Sequence, residues 1–303
     1  MYGSGKKDYK SFMPASTIRI LDLITICLIV LTLASSSWFN AHVTVVIGVV
    51  MICVLIFSLY MQSARNRMGA GENGLMKELA DFTLSKLPLD PVGGDGPETR
   101  NSDSDAGDTE SVGADTGDAS DETEEESSDD DDVGPLIIDI GCFTACTSAR
   151  AALRFPKAEI VGAYSSDKES SIGQCRTNMV SEGLGERVVI EEQNIASMDY
   201  ADGIFDAALT CYGFHRDREN KDKRALLEES LRVVRKGGAF AFTDFFSNER
   251  TYGDIVGYLG ELKERMDIAE LHYAPNIERM DFVPALLRAP WLLMDTGIIF
   301  GIR

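Results

Sequence analysis

The residues best placed to do chemistry are Tyr212 and His215, in the stretch CYGFH at 211–215. His215 follows an apolar run and is one of only three histidines in the chain. Imidazole titrates near neutral pH, so His215 can serve as a general base; it can equally be a packing or surface histidine. Tyr212 either lines a pocket or belongs to the core. Asp244, closing the run GAFAFTD, is a further pocket candidate. The second stretch of interest is DIGCFTACTSARAALRF at 139–155. Apolar residues lead into Asp139 and Gly141, and an alanine-rich helical pattern follows. A strand, a tight turn and a helix in that order form the outline of a nucleotide-binding turn.

The six cysteines offer no comparable site. Cys142 and Cys146 have three residues between them, and no second pair matches them. That spacing gives no zinc site, and reduced, buried thiols in a cytosolic domain are the simpler reading.

The elements that must position these residues follow from hydrophobic pattern. Strands are expected at 136–141, 159–164, 187–192, 205–213 and 238–246, with helices at 145–154, 168–182 and 222–235 between them. This alternation predicts an α/β domain: a doubly wound, mostly parallel sheet with helices on both faces. Beyond it come a helix near 251–266, a strand near 268–274, a short helix near 278–288 and a last strand near 291–302, so the sheet should close with an antiparallel C-terminal strand.

The N-terminal part is of another kind. Residues 20–38 and 43–61 are nearly all apolar or small, each long enough to cross a bilayer as a helix. Together, 20–62 read as a two-helix transmembrane hairpin. Lys6, Lys7, Lys10 and Arg19 precede it, Arg65 and Arg67 follow it, and the turn carries neither Lys nor Arg. Positive flanks favour the cytosol, so both ends should be cytoplasmic, with the lipid bilayer as the partner of the hairpin. The tail 1–19 is then cytosolic. Within 63–90, residues 72–87 have apolar positions at helical spacing, predicting a juxtamembrane amphipathic helix that packs on the following domain or lies on the membrane.

The formal charge of −20 is local. Between Asp95 and Asp132 stand seventeen Asp or Glu and one basic residue, Arg100. Composition predicts a disordered acidic linker over 91–133, which an anionic membrane would repel and which would hold the next domain away from lipid. No basic cluster marks a nucleic-acid footprint, so no nucleic-acid partner is expected.

The domain at 134–303 resembles the class I S-adenosylmethionine-dependent methyltransferases of the small-molecule, Rossmann-like kind. The stretches carrying the resemblance are DIGCFTA, FPKAEIVGAY, ERVVIEEQNIASMDYADGIFDAALTCYGFH and KRALLEESLRVVRKGGAFAFTDFF. The leucine-rich helix running into RVVRKGG and then an apolar strand is the most specific. The resemblance implies S-adenosylmethionine as cofactor, held by Asp139, Gly141, Phe143, Ala145, Tyr164, Asn194 and Ile195, with His215 and Tyr212 near a small-molecule methyl acceptor. An anchored domain points to a lipophilic or membrane-near acceptor.

The match departs from the family at four places. The family turn reads D-x-G-x-G-x-G, but Phe143 and Ala145 occupy glycine positions. Tyr164 stands where an acidic residue should hold the ribose, and Asn194 where an acid should meet the adenine. Two readings therefore stay open: a membrane-anchored methyltransferase, and a catalytically inactive descendant acting as a binding or scaffold module. A nicotinamide oxidoreductase is disfavoured, since G-x-G-x-x-G and an acid at the second strand end are both missing.

Overall fold

The computed structural model describes residues 9, 15–38, 40–69, 74–89, 134–166, 170–289, 292–293 and 295–303. The acidic segment 91–133 lies outside these, as do most of the tail 1–19 and Asp167, a possible substitute for the ribose acid.

Two long helices open the chain, α1 (Ala15–Trp38) and α2 (Ala41–Met68), separated by a tight turn. Both are long and apolar enough to cross a membrane, with mean hydropathy of 2.2 over Ser16–Ser35 and 2.8 over Ala41–Met68. Leu23, Leu33, Val45, Val46 and Ile56 point outward and are exposed. The one acid among them, Asp22, is met across the hairpin: its Oδ1 accepts from Ser58 Oγ at 2.9 Å and Gln62 Nε2 at 3.0 Å. Beyond its apolar part α2 continues through RNRM, and Met61, Ala64 and Met68 turn inward and are buried.

The helix α3 (Leu75–Leu84) docks on the domain. Its Asp81 carboxylate accepts two hydrogen bonds from Arg150, each 2.7 Å. Thr83 Oγ1 lies 2.7 Å from Thr243 Oγ1, and both residues are buried. Leu84 and Leu87 join the core on one sheet face, and Leu89 packs against that core. The expected acidic linker, 91–133, lies outside the described residues, and α3 packs against both α2 and the domain.

The sheet contains β1 (Leu136–Ile140), β2 (Glu159–Tyr164), β3 (Val188–Glu192), β4 (Phe205–Cys211), β5 (Val234–Asp244), β6 (Glu270–Pro275) and β7 (Gly297–Ile302). Their spatial order is β3-β2-β1-β4-β5-β7-β6. Strands β1 to β5 pair in parallel, and β7 inserts antiparallel between β5 and β6. The intervening helices are α4 (Cys146–Arg154), α5 (Ile172–Ser181), α6 (Lys223–Arg232), α7 (Glu249–Tyr252) and α8 (Ile255–Arg265). Ser171, Asp222, Asn248 and Asp254 cap α5 to α8 by accepting from backbone N–H groups of the first turn.

Alternation along the strands sorts the two faces. Ile138, Ile140, Ala208, Phe240 and Phe242 meet Leu226, Leu231, Leu259 and Leu262 of α6 and α8. Ile137, Ala207, Leu209 and Ala241 meet Ala149 and Ala152 of α4, Cys175 and Met179 of α5, and Leu84 of α3. Being buried on both faces, β1 and β4 need near-continuous apolar sequence, which LIIDI and FDAALTC supply.

The C-terminal quarter differs from its sequence pattern. The expected helix at 251–266 is broken at Gly253, where φ is +65°, giving α7 and α8. The expected helix at 278–288 is two 3₁₀ turns, 277–279 and 285–287; Pro284 lies between them, and its ring removes an N–H that a continuous helix needs. The last strand starts at Gly297, after the left-handed Asp295 (φ +72°).

Candidate cofactor and acceptor site

At the C-terminal end of β1, Asp139 is buried and sits under the turn. Its Oδ2 accepts from Ser148 Oγ at 2.6 Å, while Oδ1 has no hydrogen-bond partner. Burial pushes this carboxyl up to about 7, and the bonds from Ser148 partly oppose the shift.

The turn that follows keeps a glycine-type backbone with only one glycine. φ is +69° at Gly141, +51° at Phe143 and +60° at Ala145. A left-handed residue with a Cβ costs roughly 1–2 kcal/mol, so the surroundings must hold it. They do: Gly141 and Cys142 donate to Ala163 O, Cys175 Sγ donates to Phe143 O at 2.8 Å, and Asn178 Nδ2 donates to Thr144 O at 3.0 Å. At Gly141 a side chain is excluded for a second reason, since a Cβ would fall 2.8 Å from Gly213 Cα. The backbones of Gly141 and Gly213 form the floor of a cleft.

Very little space remains above that floor. The cleft is lined by Gly141, Phe143, Ser165, Ser166, Gly213, Arg216 and Asp217 and holds about 10 Å³. The Arg216 guanidinium lies 3.4 Å from the centroid of the Phe143 ring and closes it.

The other expected cofactor residues do not line the cleft. Ala145 is fully buried beneath the turn, and Ile195 is in the core. Tyr164 ends β2 buried, with its hydroxyl donating to Ser170 O at 3.0 Å. Asn194 is exposed; its Oδ1 accepts from Ala196 N at 3.1 Å and from Asn220 Nδ2 at 3.4 Å, so it stabilises its own turn.

The two residues singled out for acceptor chemistry lie side by side but differ in exposure. Tyr212 has φ +60° and is buried, with its hydroxyl 2.9 Å from Thr296 Oγ1. Burial holds its phenol well above the usual range. His215 is partly exposed and packs edge-on against Tyr212 and Phe245 at 5.7 and 4.8 Å between centroids. Its Nδ1 stands 3.2 Å from Oδ1 of the buried Asp244.

Sequence reasoning missed Arg216 and Asp217, because HRDRENKDKR reads as a solvated loop. Asp217 is in fact buried; it accepts from the backbone N–H groups of Glu219 and Asn220, and its main-chain oxygen accepts from Lys223 Nζ. The usable signal was the Asp followed two and three residues later by chain reversal at Glu219 and Asn220, an Asx-turn pattern.

Residues 137–238 match the family model of a methyltransferase domain. No curated protein matches the chain in sequence. Among solved structures, the YcgJ protein from Bacillus subtilis is similar at 16% identity, over 56% of this chain and 92% of that one, with a TM-score of 0.41. An O-methyltransferase family protein from Burkholderia thailandensis is similar at 14% identity, over 56% of this chain and 51% of that one, with a TM-score of 0.41. The part of the chain that is similar to a methyltransferase domain is thus residues 137–238.

Proposed function

We propose that this chain is a membrane-anchored methyltransferase whose small-molecule acceptor is lipophilic and reaches the domain from the bilayer. One observation carries the reading. The strand-end side of the domain is packed directly on the end of the apolar hairpin: Met61, Ala64 and Met68 of α2 share one apolar cluster with Cys211 and Tyr212 beside the cleft and with Val283, Leu287 and Leu293. Tyr60 OH also donates to Leu286 O at 2.7 Å. The hairpin's exposed apolar surface is far more than a water-soluble protein carries without a partner, and a bilayer accounts for it. Tyr9, ahead of the hairpin, donates to Glu182 of the domain at 3.2 Å. That contact and the docking of α3 support a two-pass topology with both ends on one side; the positive flanks favour the cytoplasm.

The retained left-handed turn supports a cofactor role, because strained backbone persists where a site needs it. The cleft as arranged does not fit S-adenosylmethionine. Its volume is about 10 Å³, whereas ligand sites occupy roughly 300 Å³ or more. Among the described residues no carboxylate stands at the end of β2 to hold a ribose. Entry requires Arg216 to leave Phe143.

The same closed cleft favours a second reading, a catalytically inactive domain that binds a partner. Titration calorimetry of the full chain in lipid nanodiscs with S-adenosylmethionine and S-adenosylhomocysteine separates the two. Saturable binding supports the enzyme; a folded protein that binds neither at millimolar concentration supports the inactive descendant.

A further inference from the structure

We propose that Asp244 is a positioning residue that fixes the tautomer of His215, leaving Nε2 free to take a proton from the acceptor. The proton-transfer role rests on the methyltransferase reading; the geometry stands without it.

Asp244 ends β5 and is fully buried. Its Oδ2 accepts from the backbone N–H of His215 at 3.1 Å, and its Oδ1 from that of Phe245 at 2.7 Å. These bonds lock the carboxylate beneath the imidazole. Nδ1 of His215 is buried and, as the ring is oriented, makes no hydrogen bond, though Oδ1 of Asp244 is 3.2 Å away. A small rotation about the terminal torsion directs Nδ1–H at that oxygen, and a buried ring nitrogen needs such a partner. Tyr212 and Phe245 flank the ring and limit larger rotations. With the proton on Nδ1, the Nε2 lone pair is the free one.

The other charged groups near the pair do not compete for that role. Lys223 senses both Asp217 and Asp244, but its amine donates to the main-chain oxygen of Asp217, and burial lowers its affinity for a proton. Tyr252 lies near Asp244 and stays neutral, since burial and then the carboxylate raise its phenol well above the usual range. Arg216 is turned towards Phe143.

His215 also lies where a base is useful. Gly213 and Arg216, on either side of it in sequence, line the cleft. Tyr212 and Phe245, which flank its ring, belong to or pack on the cluster shared with α2. The imidazole therefore stands between the cofactor turn and the apolar route from the bilayer. In the step it performs, an acceptor O–H bond breaks, the proton goes to Nε2, the electron pair stays on oxygen, and the imidazolium faces Asp244 until the proton passes to water. The acceptor class this suits is a weakly acidic hydroxyl on an apolar body, such as a phenol with pKa of about 10; a carboxylate acceptor would need no base.

The test is nitrogen NMR of the full chain in nanodiscs with labelled histidine. The chain has only His42, His215 and His272, so His215→Gln identifies the signal. Neutral His215 should carry its proton on Nδ1, and in Asp244→Asn, where the amide can donate to Nδ1, the proton should move to Nε2. Nε2–H as the main form of the wild type overturns the proposal. If Asp244→Asn fails to fold, the wild-type tautomer alone decides. With a long-chain phenol as probe, Asp244→Asn should lower kcat by about a hundredfold or more with little change in KM; unchanged kcat overturns the base role. Turnover by a wild type with Nε2–H would discard the pair and keep the methyltransferase reading. An Nδ1–H tautomer in a protein that binds no cofactor would keep the positioning and discard that reading.

Discussion

The guanidinium of Arg216 stacks on the ring of Phe143, 3.4 Å from its centroid, and together they fill the cleft over Gly141 and Gly213. A partly desolvated cation–π contact contributes about 1–2 kcal/mol, so holding the cleft shut lowers ligand affinity roughly 5- to 30-fold. Phe143→Gly removes the ring and suits φ of +51°. It should raise affinity for S-adenosylhomocysteine by about tenfold, read by calorimetry. Arg216→Ala should give a gain of similar size, and the double variant little more than either, because both break one contact.

Asp139 predicts a pH dependence of stability. Its carboxyl titrates near 3.9 in an unfolded chain and at about 7 in the fold. The folded state therefore holds the proton more tightly. The stabilisation is fully present below pH ~4 and is lost as pH rises towards 7, by up to about 1.4 kcal/mol per unit. Asp139→Asn should remove that slope. Denaturant unfolding at pH 5 and pH 8 checks it: the wild type should lose more stability between the two than the variant, and parallel losses would refute the assignment.

Docking of α3 should rest on apolar burial more than on its ion pair. Leu79 is buried in the cluster under α3, and Leu79→Ala should cost about 3 kcal/mol. Asp81 and Arg150 are both partly exposed, so Asp81→Ala should cost only about 0.5 kcal/mol despite two good hydrogen bonds. Thermal unfolding of the two variants in one detergent gives the order. Residues 134–303 alone should melt below 74–303, because α3 covers the sheet face formed by Ala207, Leu209 and Ala241.

Ala145→Gly should stabilise. The residue sits at φ +60°, and glycine relieves about 1 kcal/mol there, against a smaller loss from one buried methyl group. A rise in melting temperature of a few degrees is expected, and a fall would mean that packing of the methyl outweighs strain.

The sheet was readable because its signals are local. LIIDI, EIVGAY and FDAALTC are short apolar runs bounded by turns, and RVVRKGG marks a helix passing into a strand. Even there β5 begins at Val234, four residues before the expected start, because Gly237 at φ +73° lets the strand continue through the turn. Contacts between distant parts left no such mark. The amphipathic pattern of α3 suits a membrane surface as well as a sheet face, and only Arg150, Thr243 and the cluster around Cys211 decide between them. The stacking of Arg216 on Phe143 joins two loops whose own sequences suggest a cofactor turn and a solvated linker. Tyr212 reads as a pocket residue by position, yet its left-handed backbone turns its hydroxyl towards Thr296.

S-adenosylmethionine is expected to enter this cleft once Arg216 and Phe143 separate. The measurement to make is calorimetry of the full chain in nanodiscs with S-adenosylmethionine, run beside Phe143→Gly. Micromolar binding by the wild type, tightened about tenfold in the variant, is the predicted result. Absence of binding at millimolar cofactor in both folded proteins would contradict the claim.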